Sequence, residues 1–149
     1  MAWMWPASAE VRRSEAEAFY RHYLAACNDH AFDRLPEFVA ADVEVDGVRR
    51  GLAGYVAGLR AVVRAFPDYR WSLRDLVIDG DRIAARLTNT GTHQGDFLGV
   101  PATGRTIRTQ EFAIYHLAAD RIARVWATAD NQALRAQLRQ PAPRPSTPP

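Results

Sequence analysis

After residue 70 the chain changes period. Ahead of that point apolar residues recur at helical spacing; beyond it they fall in strand-like runs. Residues 71–78, 82–92, 105–117 and 121–129 each read as a strand. Asp79-Gly80-Asp81 is a tight hairpin turn between the first pair, and Ala118-Ala119-Asp120 is the turn between the last pair. Residues 93–104, punctuated by Gly and Pro, connect the two hairpins without an element of their own. The first half is different. Phe19, Tyr23 and Cys27 recur at i, i+4 in a predicted helix over 11–28, which Asn28-Asp29-His30 ends. A short helix over 31–39 contains Pro36, and 43–48 alternates as a half-buried strand. Leu52, Tyr55, Val56, Leu59, Val62 and Val63 form the core stripe of a helix over 51–65, closed by Phe66-Pro67-Asp68. Asp130 caps a last helix over 131–139. Helices followed by a run of long antiparallel strands is an α+β pattern. A strongly twisted sheet with helices on one face curls around them, and the half-closed cone encloses an apolar cavity.

A chain of 149 residues fits one domain. The expected division is a flexible segment over 1–10, a single domain over 11–140, and a disordered tail over 141–149 that holds five of the nine prolines. No apolar run approaches the roughly 18 residues of a membrane helix. Met1-Ala-Trp-Met-Trp-Pro6 lacks the basic region of a secretory signal, so a cytoplasmic location and no membrane partner are expected. All 19 basic residues are arginine and they are spread along the chain, which argues against a nucleic-acid footprint despite the net charge of +2. Without lysine there is no side-chain Schiff base and no phosphate-loop lysine. The lone cysteine, Cys27, excludes an intrachain disulfide and reads as a small buried hydrophobe. His22 and His30 have no companion ligands at metal spacing, so no metal is expected.

One stretch is distinctive: Gly91-Thr-His-Gln-Gly-Asp-Phe-Leu-Gly-Val-Pro-Ala-Thr-Gly104. Phe66-Pro67-Asp68 and Gly80-Asp81 precede it; Asp120-Arg-Ile122, Trp126-Ala-Thr-Ala-Asp130 and Ala136-Gln-Leu138 follow. Over about residues 14–138 this series resembles the SnoaL-like polyketide cyclase family, within the nuclear transport factor 2-like fold. The resemblance implies a curved antiparallel sheet forming a cone packed on three to four helices, and a homodimer joined through the outer sheet face. It also implies a small hydrophobic substrate and an intramolecular aldol closure that uses no metal or cofactor. Relatives of this fold include isomerases, epoxide hydrolases and non-catalytic binders, so fold alone does not settle function. The family's aspartate base and its histidine align here with Ala127 and Ala113. Neither alanine transfers a proton, and both make room in the pocket.

Another group must then carry the chemistry. Glu111 sits mid-strand on the face shared with Thr109, Ala113 and Tyr115, where an apolar pocket would raise its pKa and make it a general acid or base. The alternative is an ion pair with Arg108, Arg124 or another arginine across the sheet. Asp46 is either a base at the pocket mouth or a turn residue before Gly47. Asp130 is either catalytic or a helix cap, and His93 either reaches the pocket or braces the Gly-rich bend. Tyr20, Trp71, Tyr115 and Trp126, with Ala113 and Ala127, are the candidate substrate-binding wall. Two functions compete: a cofactor-independent cyclase or isomerase acting on a polyketide-like intermediate, and a non-catalytic binding or assembly protein. Epoxide opening is a third, and needs an acidic cluster that these residues do not supply.

Overall fold

The structure, a computed structural model, describes residues 8–140. The expected Pro-rich tail lies outside them, as do residues 1–7 of the expected N-terminal segment. Helix α1 (Ala9–Asn28) starts two residues ahead of expectation, because Ser8 caps it: its Oγ accepts the Val11 N–H at 3.2 Å. Its buried face carries Ala16, Tyr20, Tyr23, Leu24 and Cys27. Its end is stitched to the sheet: the Asn28 amide donates to the Trp71 carbonyl at 2.9 Å and accepts the Trp71 N–H at 2.8 Å.

The predicted short helix is a 3-10 helix, Phe32–Glu37, which accommodates Pro36. The predicted strand over 43–48 is two strands, β1 (Val39–Val45) and β2 (Val48–Arg49). Between them Asp46 and Gly47 take φ values of +50° and +81°, a two-residue turn whose twist matches a hairpin. Helix α2 (Gly51–Ala65) follows, then β3 (Arg70–Asp79), β4 (Arg82–Thr92), β5 (Thr106–Ala118), β6 (Arg121–Ala129) and helix α3 (Asn131–Arg139).

The strands form one open sheet in the order β2-β1-β6-β5-β4-β3. It is not wholly antiparallel: β1 runs parallel to β6. Register breaks in β3 and at the β5–β6 end add twist and help the sheet curl over α1. The core lies between the inner face and α1, where Tyr20, Leu35, Val43, Phe66, Ile83 and Ile122 are fully buried. Ile83→Ala is expected to cost about 2–5 kcal/mol, since an interior strand paired on both sides cannot collapse around the void; urea denaturation measures it.

Helix α2 differs from its predicted role. Its apolar stripe is only half-buried, and of the whole helix only Ala65 is sunk in the core. It packs chiefly on β1 and stands off the rest of the sheet. The Gly91–Gly104 stretch secures its far end. The N–H groups of Gln94 and Gly95 both donate to the Ala65 carbonyl, at 2.8 and 3.1 Å. A Cβ at Gly95 would lie 2.9 Å from the Arg64 carbonyl oxygen, so only glycine permits this approach.

Candidate active site

Because α2 stands off the sheet, a cavity of about 420 Å³ opens between them. Tyr23, Leu24 and Cys27 wall it from α1; Trp71, Leu87, Tyr115 and Val125 from the sheet; Tyr55 and Leu59 from α2. The sheet wall is buried, whereas Arg50, Gly54 and Gly58 on the α2 side are exposed, so the mouth lies along α2.

Among the described residues, two charged side chains line this cavity, Arg50 at the mouth and Glu111 within. Alternation along β5 turns Glu111 inward with Thr109, Ala113 and Tyr115, and turns Arg108 and Gln110 outward. Its carboxylate is held by one side chain: Asn89 Nδ2 donates to Oε2 at 2.9 Å. Asn89 lies on β4 opposite Thr109, one inner-face step from Leu87, the partner of Glu111, so its amide reaches across diagonally. No arginine neutralises Glu111 among the described residues. Arg124 pairs instead with Glu44 at 3.2 Å on the other face. Burial pushes the Glu111 carboxyl above the usual glutamate value, and the Asn89 hydrogen bond opposes that only in part.

Three tyrosines, Tyr23, Tyr55 and Tyr115, share the cavity wall with this carboxyl. The Tyr23 and Tyr55 hydroxyls hydrogen-bond one another at the cavity wall. Two hydroxyls carry two protons and their mutual bond uses one; Tyr23 also hydrogen-bonds the Cys27 sulfur, so when Tyr23 donates to Tyr55 the Tyr55 proton is the one left for a ligand oxygen. Burial drives both phenols upward in pKa, so they stay neutral donors. Tyr115 closes the wall, and Tyr20 packs behind it with ring centres 5.1 Å apart. Burial likewise raises the Cys27 thiol to about 12, which leaves it a wall group and not a nucleophile.

The remaining sequence candidates fall elsewhere. Trp71, Tyr115 and Ala127 line the cavity, but Tyr20 and Ala113 pack in the core behind it. Trp126 is a correction: one position from Ala127, it points to the outer face and is 37% exposed. Asp46 lies in the β1–β2 turn outside the cavity wall, its Oδ1 accepting the Ala127 N–H at 3.2 Å. Asp130 caps α3 by accepting the Ala133 N–H at 2.9 Å. His93 is fully buried against Phe66, and its Nδ1 accepts the Thr103 N–H at 3.2 Å, bracing the bend. Among the described residues there is no group of His, Cys, Asp and Glu suited to a metal ion, and no helix is long and apolar enough to cross a membrane.

Arg50, Asn89, Gly54 and Gly58 were not legible as site residues from spacing alone. Two glycines at i, i+4 within a strongly apolar helix are nevertheless a signal, because helix propensity disfavours both.

Residues 17–138 match the family described as SnoaL-like polyketide cyclase. A search of the curated proteins finds no match. Among solved structures, a SnoaL-like polyketide cyclase from Agrobacterium tumefaciens is similar, with 37% identity over 80% of this chain and 94% of that one, and a TM-score of 0.74. TsrD from Streptomyces laurentii is 29% identical over 85% of this chain and 96% of its own, with a TM-score of 0.78. IdmH from Streptomyces antibioticus is 27% identical over 82% and 96%, with a TM-score of 0.74.

Proposed function

Because the chain belongs to the SnoaL-like polyketide cyclase family, we propose that it closes or isomerises a ring in a hydrophobic polyketide-like intermediate, with Glu111 moving the proton. The observation that carries this reading is a carboxyl without a cationic partner, inside an apolar cavity whose wall has alanine at 127. For an aldol closure, the Glu111 carboxylate removes a proton alpha to a ketone. The electron pair moves onto the ketone oxygen as an enolate, which the free proton of the Tyr23–Tyr55 pair hydrogen-bonds. The enolate carbon attacks a second carbonyl carbon of the same molecule, forming the C–C bond. The alkoxide that results takes the proton back from Glu111. Atoms and charge balance, and Glu111 ends as it began. Both reacting carbons are in one molecule, so confinement lowers the barrier as well.

Epoxide opening by two aspartates around an arginine finds no such cluster in the described cavity wall, where Glu111 is the only acid. The test is incubation with linear aromatic polyketones, following loss of substrate at constant mass or with loss of water. Ring closure that depends on Glu111 supports the proposal. Tight binding with release of unchanged ligand identifies a binding protein instead.

For the partner, the reading is a second copy of this chain. Val77, Ala84, Ile114 and Trp126 stand in one row across four strands of the outer face. Val77, Ile114 and Trp126 in that row are exposed, as is Phe112 beside it. The next row brings Asp75 and Arg86 together, a charge pair able to meet its own copy about a two-fold axis. Ile114→Arg is expected to convert the dimer to a monomer in light scattering, with the fold unchanged; a protein that is monomeric without the substitution contradicts this.

A further inference from the structure

We propose that the substrate carries a free carboxylate, and that Arg50 at the cavity mouth reads it. This rests on the cavity being the substrate site, and goes beyond it by stating what one end of the substrate must be. Among the described residues Arg50 is the only cation on the cavity wall. Its neighbours are already neutralised: Arg49 pairs with Asp42 at 3.6 Å, and Arg124 with Glu44 at 3.2 Å. Arg50 has no acidic partner among the described residues, although acids lie on the adjoining strand. Its backbone is fixed, since its N–H donates to the Val43 carbonyl at 3.1 Å. The guanidinium is therefore carried on an anchored stem at the entrance.

The two charges of the cavity are separate. Burial raises the Glu111 carboxyl and the Asn89 hydrogen bond opposes it. Positions 54 and 58 share one face of α2, and Arg50 caps the helix at its start, its Cβ 3.4 Å from where a Cβ at Gly54 would lie. Glycine at 54 and 58 clears that face, so a flat molecule can lie along it with one end at Arg50. A single planar guanidinium matches a monoanionic carboxylate in a two-point hydrogen bond. A phosphate dianion would call for a second cation, and the described residues of this wall supply none.

The probe pair is 2-naphthoate and its methyl ester, which share a ring system and differ in charge. Calorimetry on the full chain at neutral pH is expected to show the acid binding about tenfold tighter than the ester. Arg50→Gln should abolish that difference and leave the affinity of the ester as it was. Arg50→Lys, which keeps charge and loses the fork, should retain part of it. Equal affinities in the unaltered protein, or a preference that survives Arg50→Gln, overturn the carboxylate inference while leaving the cavity as the binding site. Failure of both compounds to bind, or undiminished binding after the mouth is filled by Gly58→Trp, overturns the cavity reading and the inference with it.

Discussion

Glu111→Gln lowers turnover by about 10²- to 10⁴-fold, the range that a positioned general acid–base contributes. The substitution is nearly isosteric, and a glutamine oxygen can still accept the Asn89 hydrogen bond, so packing is retained. Loss of activity would then report the proton and not the shape. The same variant has a second signature. The folded carboxyl titrates above its ordinary value of 4.5, because burial disfavours the charged form. The unfolded chain therefore gives up this proton first as pH rises. Whatever stability Glu111 contributes is fully present below the unfolded pKa and is lost as pH climbs through the raised folded one. Glu111→Gln removes that loss. It should be more stable than the unaltered protein on the alkaline side of this window and no more stable below it. Activity follows the opposite course. A base must be ionised, so kcat rises with pH through the raised pKa, and the rise disappears in the variant. Denaturation midpoints and a pH–rate profile on the two proteins check both. A flat profile in the unaltered protein, or turnover untouched by the substitution, sinks the assignment.

The fold was legible because its determinants are local. The change of period after residue 70, the Asp79-Gly80 turn and the Asp130 cap each act within a few residues, and each element formed where its residues ask for it. Alternation along β5 sufficed to turn Glu111 inward with Tyr115. The same alternation, applied to Trp126 and Ala127, allows only one of the two to face the cavity. The bulk of Trp126 argued for the wall, and register gave the wall to Ala127. What spacing does not reveal is how far an apolar helix sits from its sheet. The stripe of Leu52, Tyr55, Leu59 and Val62 reads as core in any amphipathic helix. It is half-buried here, and Tyr55 and Leu59 in its middle face a cavity where a packed interior is expected. Asn89 was hidden for a related reason. A buried amide on an interior strand has meaning only through its diagonal neighbour, and that pairing needs the register of β4 on β5.

Gly58→Trp is expected to separate stability from function most sharply. A glycine inside a helix costs about 1 kcal/mol relative to alanine, and α2 carries two of them facing the same way. Nothing lies within 4 Å of a Cβ built at Gly58, so no crowding demands its absence. Gly58→Ala should accordingly stabilise the protein by roughly 0.5–1 kcal/mol. Tryptophan fits the same backbone and gains apolar contact with Tyr55 and Leu59 along the wall, so the fold should again hold. Its ring, however, occupies the mouth through which a flat substrate would enter. A misplacement of about 1 Å at the reacting atoms can cost 10²-fold, and a filled mouth should lower kcat/KM by about that factor or more. Thermal unfolding and substrate kinetics on the alanine and tryptophan variants together distinguish the causes. Stabilisation by both with activity lost only in the larger one means that the glycines keep a passage open. Destabilisation by alanine means that the backbone needs glycine there, and the open mouth is then incidental to the helix.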